Sequence, residues 1–146
     1  MMAVSGEPAQ RSRLGGLRSE EERAIARARG RRSEERALAA CRSAARPSWI
    51  KTARPAAHDE DHAGIDLVLE TDVGRLFVQV KSSMTGKAKF ESVRRKHRIA
   101  VVVVRDGDSD ARLLAQVSAS VGALRAPWLE RRAFLARLYG SEAGAP

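Results

Sequence analysis

Three residues of this sequence have the types and spacing to do chemistry together. Asp66 offers a carboxylate, Gln79 an amide oxygen and Lys81 an ammonium. Gln79 and Lys81 lie two residues apart, and side chains alternate along a strand, so both fall on one face. Asp66 heads the preceding apolar run, and the turn at Asp72-Val73-Gly74 folds that run back on the next one. The hairpin therefore brings Asp66 toward the Gln79–Lys81 end. Magnesium takes oxygen ligands, commonly one or two carboxylates with water and a substrate phosphate. Phosphodiester hydrolysis needs an activated water, and it needs charge neutralised on the phosphate and the leaving oxygen. On this chemistry Asp66 is the principal metal ligand. The Gln79 amide oxygen and the Val80 carbonyl supply further ligands. Lys81 orients the attacking water and stabilises the developing negative charge. Taken singly, each residue has a plainer reading as a strand-end carboxylate, a surface amide or an edge-strand charge. The combination carries the expectation.

The pattern of residues predicts the elements that position this group. Residues 1–18 mix Gly, Ser, Pro and Arg without periodicity and read as a disordered basic arm. Ser19 and Glu22 have capping-box spacing, so a helix starts there. Gly30 is expected to interrupt it, with Ser33 capping a second helix that ends near Ala45. Ala37, Leu38, Cys41 and Ala44 recur on one face of that second helix. A short strand is expected over 49–53, a polar loop over 55–64, and strands over 65–70 and 75–82. Leu76, Val78 and Val80 then share one face of the last, with Phe77, Gln79 and Lys81 on the other. Residues 87–96 read as a short basic helix with Phe90 and Val93 inward, and 99–105 as a strand covered on both faces. Residues 111–124 form a helix capped by Ser109 or Asp110. Pro127 opens a last helix reaching Tyr139, because proline suits a first turn. Residues 19–140 thus make one domain, and 141–146 a flexible tail. The fold class is α/β, a small mixed sheet flanked by helices.

Gly64-Ile65-Asp66 followed by Gln79-Val80-Lys81 resembles the PD-(D/E)XK nuclease superfamily, in the variant with Gln at the second acidic position that Mrr-like restriction endonucleases also carry. Upstream, Gly30-Arg31-Arg32-Ser33-Glu34-Glu35-Arg36-Ala37 is similar to the G-R-x-x-E-x-x-A pattern on the first helix of Holliday-junction-resolvase-like members. The resemblance covers about residues 30–105. It implies a restriction-endonuclease-like core, with a three-strand antiparallel meander plus a crossover strand, and a Mg2+- or Mn2+-dependent endonuclease. It implies catalytic roles for Glu34, Asp66, Gln79 and Lys81, with Glu34 reaching the metal from the first helix.

Charge is consistent with a polyanionic partner. The chain of 146 residues carries a formal charge of +9, unevenly spread. Residues 1–57 carry +7, 58–80 carry −5, 81–105 carry +7, and 106–146 balance. An acidic island thus sits in a basic frame. Lys87, Lys89, Arg94, Arg95, Lys96 and Arg98 form the densest basic group. Their place just after the proposed active strand assigns them to the phosphate backbone of DNA. Aromatic residues are only 4%, too few to read many bases, so backbone contact is expected over sequence readout. No target-recognition domain is evident, so specificity would come from DNA structure, a homodimer or a partner protein.

The longest clean apolar run, 99–104, is far short of a membrane span. The Arg-rich first thirty residues lack the apolar stretch of a secretion signal. The single cysteine, Cys41, cannot form an internal disulfide, and it reads as a small core residue in a cytoplasmic protein. His58-Asp59-Glu60-Asp61-His62 spaces two histidines four apart. It lacks the Glu directly after the first His that a zinc protease needs. Asp61 is the member placed to support the neighbouring site. The competing functional readings are a catalytically inactive nucleic-acid-binding domain of the same fold and a protein-interaction module whose basic charge is compositional.

Overall fold

The computed structural model describes residues 19–83 and 98–140. Helix α1 spans Glu20–Arg42. Its capping box forms as the sequence predicts, with the Ser19 hydroxyl accepting from Glu22 N–H at 3.2 Å and the Glu22 carboxylate accepting from Ser19 N–H at 3.1 Å. Gly30 does not interrupt it. A glycine inside a helix costs only about 1 kcal/mol, and burial of Ser33, Ala37, Ala40 and Cys41 holds the helix through that point. Ser33 is consequently an interior residue, not a cap.

Four strands follow: β1 Ile50–Pro55, β2 Leu67–Thr71, β3 Gly74–Lys81 and β4 Ile99–Val103. They form one mixed sheet in the order β1-β2-β3-β4. β1 pairs antiparallel with β2, with a register shift between Ile50 and Thr52. β2 pairs antiparallel with β3, and β3 pairs parallel with β4. The strand limits differ from the expected ones in a way that matters: β2 begins at Leu67, so Asp66 stands just ahead of it. A short helix, α2 (His58–His62), occupies the expected polar loop between β1 and β2.

Helix α3 runs Asp110–Tyr139 without a break, capped by the Ser109 hydroxyl, which accepts from Arg112 N–H at 3.1 Å. Pro127 lies inside it and does not open a separate helix. The compensation comes from the hairpin tip. Arg125 Nε donates to Asp72 Oδ1 at 2.8 Å, and Arg132 donates to the Asp72 carbonyl. The helix is thus fastened on both sides of the proline. Arg125 also lies over the Trp49 ring, and Arg98 over the Trp128 ring. Trp49 packs against the core, as expected, whereas Trp128 is exposed and covered only by Arg98 among the described contacts.

Both long helices pack on one face of the sheet, α1 over β1 and β3, α3 over β3 and β4, and against each other. Between helices and sheet lie Ala37, Cys41, Leu67, Leu69, Leu76, Val78, Ala100, Val102, Leu113, Val117 and Val121. The alternation on β3 is as predicted, with Leu76, Val78 and Val80 in this core. Cys41 is fully buried, and burial pushes its thiol up to about 11. Val68, Val101 and Val103, on the opposite face, are buried as well. Two turns depend on glycine: Gly64 (φ 80°) before Asp66 and Gly74 (φ 99°) at the hairpin tip. Among the described residues no helix is long and apolar enough to cross a membrane.

Leu69 is fully buried at the centre of this core, whereas Ile25 on α1 is largely exposed. Leu69→Ala is expected to cost about 2–5 kcal/mol, and Ile25→Ala less than about 0.5 kcal/mol. Urea unfolding midpoints of the two variants check this.

Candidate active site

The site forms where the β2–β3 ladder runs out. Leu67 pairs with Val78, so Asp66 falls beside Gln79. Its main chain is held on both sides: Asp66 N–H donates to Val78 O at 2.9 Å, and Asp66 O accepts from Ala56 N–H at 2.9 Å. Its carboxylate then takes the next ladder position. Asp66 Oδ2 accepts from Val80 N–H at 2.6 Å. A carboxylate has about four acceptor positions, so this bond fixes the group and leaves acceptor capacity for a cation. Along a strand, a residue's N–H and C=O lie on the same edge. The Val80 carbonyl therefore faces the Asp66 edge as its N–H does.

Gln79 is buried, and its Oε1 has no hydrogen-bond partner among the described residues. A buried carbonyl oxygen left unpaired costs about 1–3 kcal/mol, a cost that a cation or a donor placed against it would offset. Lys81, half-buried at the end of β3, lies near enough to Asp66 to favour its ionised form. Its main chain is tied to β4, with Lys81 O accepting from Val104 N–H at 2.8 Å.

Glu34 reaches this region from α1. It is half-buried one residue after the buried Ser33. Desolvation holds its carboxyl above the ordinary range, and the charges of Asp66 and Asp61 push it further up. Asp66 is also raised, first by desolvation, against the lowering effects of Val80 N–H and Lys81. Two carboxylates that repel each other in a partly dried site are what a divalent cation relieves. The donor set is all oxygen, which fits magnesium or manganese. Among the described residues no three His, Cys, Asp or Glu side chains gather closely enough to hold one ion. The two carboxylates would need the Gln79 and Val80 oxygens to complete a coordination sphere.

Asp61 acts on both Glu34 and Asp66 through its charge. The acidic run around it marked it as a supporting residue, but a loop gave it no defined position. Helix α2 does. Glu60 accepts from Ala57 N–H at 2.9 Å and from Arg54 at 2.7 and 3.1 Å. Gly64 N–H then donates to Asp61 O at 2.9 Å.

Of the predicted DNA-contacting group, Lys87, Lys89, Arg94, Arg95 and Lys96 lie outside the described residues. Arg98 is described, and it points elsewhere. It donates to the Val73 carbonyl at 3.0 Å and lies over Trp128, at the hairpin tip, the far end of β3 from Lys81.

No protein-family model, curated protein or solved structure matches this chain.

The raised carboxyls give a prediction with a definite sign. A carboxyl whose pKa is higher in the folded state destabilises the fold at neutral pH. That penalty is complete above the folded-state pKa and vanishes below the unfolded one. Asp66→Asn keeps an acceptor for Val80 N–H and removes the charge. Without divalent cations it is expected to melt above wild type at pH 7, with the gap closing as pH falls through the carboxylate range. Thermal melts between pH 7 and 3 check this.

Proposed function

We propose that the protein is a metal-dependent endonuclease with a restriction-endonuclease-like core, hydrolysing DNA phosphodiester bonds. One observation carries the reading. The Asp66 carboxylate is clamped by Val80 N–H beside buried Gln79, whose oxygen has no partner among the described residues, with Glu34 near enough to repel it. The order of described elements is compatible with such a core: a long helix, three antiparallel strands, and a fourth strand parallel to the third. The resemblance of Gly64-Ile65-Asp66 and Gln79-Val80-Lys81 to the nuclease motif adds to it.

Asp66, Gln79 through its amide oxygen, the Val80 carbonyl and Glu34 would hold the metal. Bound there, a magnesium or manganese ion would supply charge neutralisation at the phosphate and a more acidic water. The chain's own residues do the positioning. The Val80 N–H fixes the Asp66 carboxylate, so little reorganisation is needed when substrate arrives. Lys81, two residues on and on the same face as Gln79, orients the attacking water and balances charge on the scissile phosphate. A neutral Gln79 leaves the site less negative than three carboxylates would, easing the approach of a polyanion and making Glu34 more important to metal affinity. The basic segments flanking the acidic island supply DNA attraction, which weakens steeply with salt. Specificity would come from DNA structure, a second copy or a partner protein.

The test is cleavage of supercoiled plasmid and branched DNA with magnesium, manganese or chelator. Wild type is expected to cut only with metal, and Asp66→Ala and Lys81→Ala to cut at least about a hundredfold more slowly. Suppose wild type fails to cut while salt-sensitive DNA binding is equal in all three. The chain is then a non-catalytic nucleic-acid-binding domain, the reading favoured by the lack of a third clustered carboxylate among the described residues.

A further inference from the structure

Two of the three histidines of the chain stand on α2, and their ring nitrogens face each other. His58 Nε2 and His62 Nε2 are 3.2 Å apart, with ring centroids 4.5 Å apart and planes at 77°. From these positions we infer that α2 is a binding site for a borderline transition-metal dication, zinc, nickel or copper, held by the two Nε2 atoms. Its two ligands are not those of the oxygen-lined site, and the inference does not depend on the nuclease reading.

The geometry supports it numerically. Zn–N bonds of about 2.0–2.1 Å at a tetrahedral centre place two nitrogen ligands about 3.3 Å apart. The rings already stand at that separation, so binding needs only a rotation of the exposed rings that aims both Nε2 lone pairs at one ion. The helix that holds them is short, but it is anchored from outside itself. Arg54 on β1 grips Glu60 with two hydrogen bonds, and Ile65 N–H donates to Glu60 O at 3.1 Å. Asp61 N–H donates to Ala57 O at 2.9 Å, closing the turn between the two histidines. Asp59 and Asp61 are exposed beside them, in the segment whose net charge is −5, which favours a dication. Imidazole nitrogen selects zinc, nickel and copper over magnesium. Both side chains are exposed, so the remaining coordination positions are open to water or to a group on an approaching molecule.

In the absence of metal the two Nε2 atoms lie within hydrogen-bond distance of each other. Binding requires each ring to carry its proton on Nδ1, so that both Nε2 lone pairs face the ion. Cys41 does not compete, because it is fully buried and its thiol is raised to about 11.

The test titrates zinc into untagged protein by calorimetry, in excess magnesium and in the Asp66→Asn background, so that the oxygen site is either filled or disabled. One saturable zinc site per chain is expected. His58→Gln and His62→Gln are each expected to weaken it at least about tenfold, while His62→Cys retains it. Retention of untagged protein on nickel resin should follow the same order. Circular dichroism confirms that the variants fold. No saturable zinc binding, or binding that both Gln variants leave unchanged, overturns the proposal. Loss of DNA cleavage in Asp66→Asn with zinc binding intact leaves it standing.

Discussion

At the head of β2 the ladder to β3 passes from main chain to side chain. Asp66 N–H still meets the Val78 carbonyl, but Val80 N–H is met by the Asp66 carboxylate. That single substitution of acceptors orders the site around it. It fixes the carboxylate to a rigid strand, turns the Val80 peptide toward it, and sets Gln79 and Lys81 beside it through the period of the strand. Charge-assisted bonds from a backbone N–H to a carboxylate are among the stronger hydrogen bonds in proteins. This one also satisfies a donor that the end of β2 would leave unpaired.

The surrounding fold accepts a local cost for this arrangement. Desolvation raises both Asp66 and Glu34, the two repel each other, and the Gln79 oxygen is buried without a partner among the described residues. Several unfavourable terms thus meet at one end of the sheet. Such a concentration of unfavourable terms is typical of functional sites.

What could be read from the sequence were features governed by near neighbours. The Ser19–Glu22 box, the Ser109 cap, the hairpin at Asp72–Gly74 and the alternation of Leu76, Val78 and Val80 all depend on residues close in the chain, and the structure has them. What could not be read depends on distant partners. Helix α2 relies on Arg54 holding Glu60 from β1. The passage of α1 through Gly30 relies on burial of Ser33 and Ala37, and the passage of α3 through Pro127 relies on Asp72. Arg98 looked like one more cation in a basic run, and only the hairpin tip reveals that it is engaged within the fold. For the site, strand period and turn position already placed Asp66, Gln79 and Lys81 together. The approach of Glu34 was legible only through motif resemblance, and the influence of Asp61 only in outline.

The double fastening of α3 to Asp72 has a mechanical consequence. Pro127 removes one backbone hydrogen bond and makes that turn the natural hinge of a helix about 45 Å long. Arg125 and Arg132 grip the hairpin tip on either side of it, so the hinge is splinted and the two halves of the helix move as one beam. The hairpin strands run from that tip to Asp66, about 20 Å away along β2. A load applied to the exposed distal half of α3, where Phe134, Leu138 and Tyr139 project, is therefore borne by the hairpin tip and passed along stiff strands toward the carboxylate at their other end.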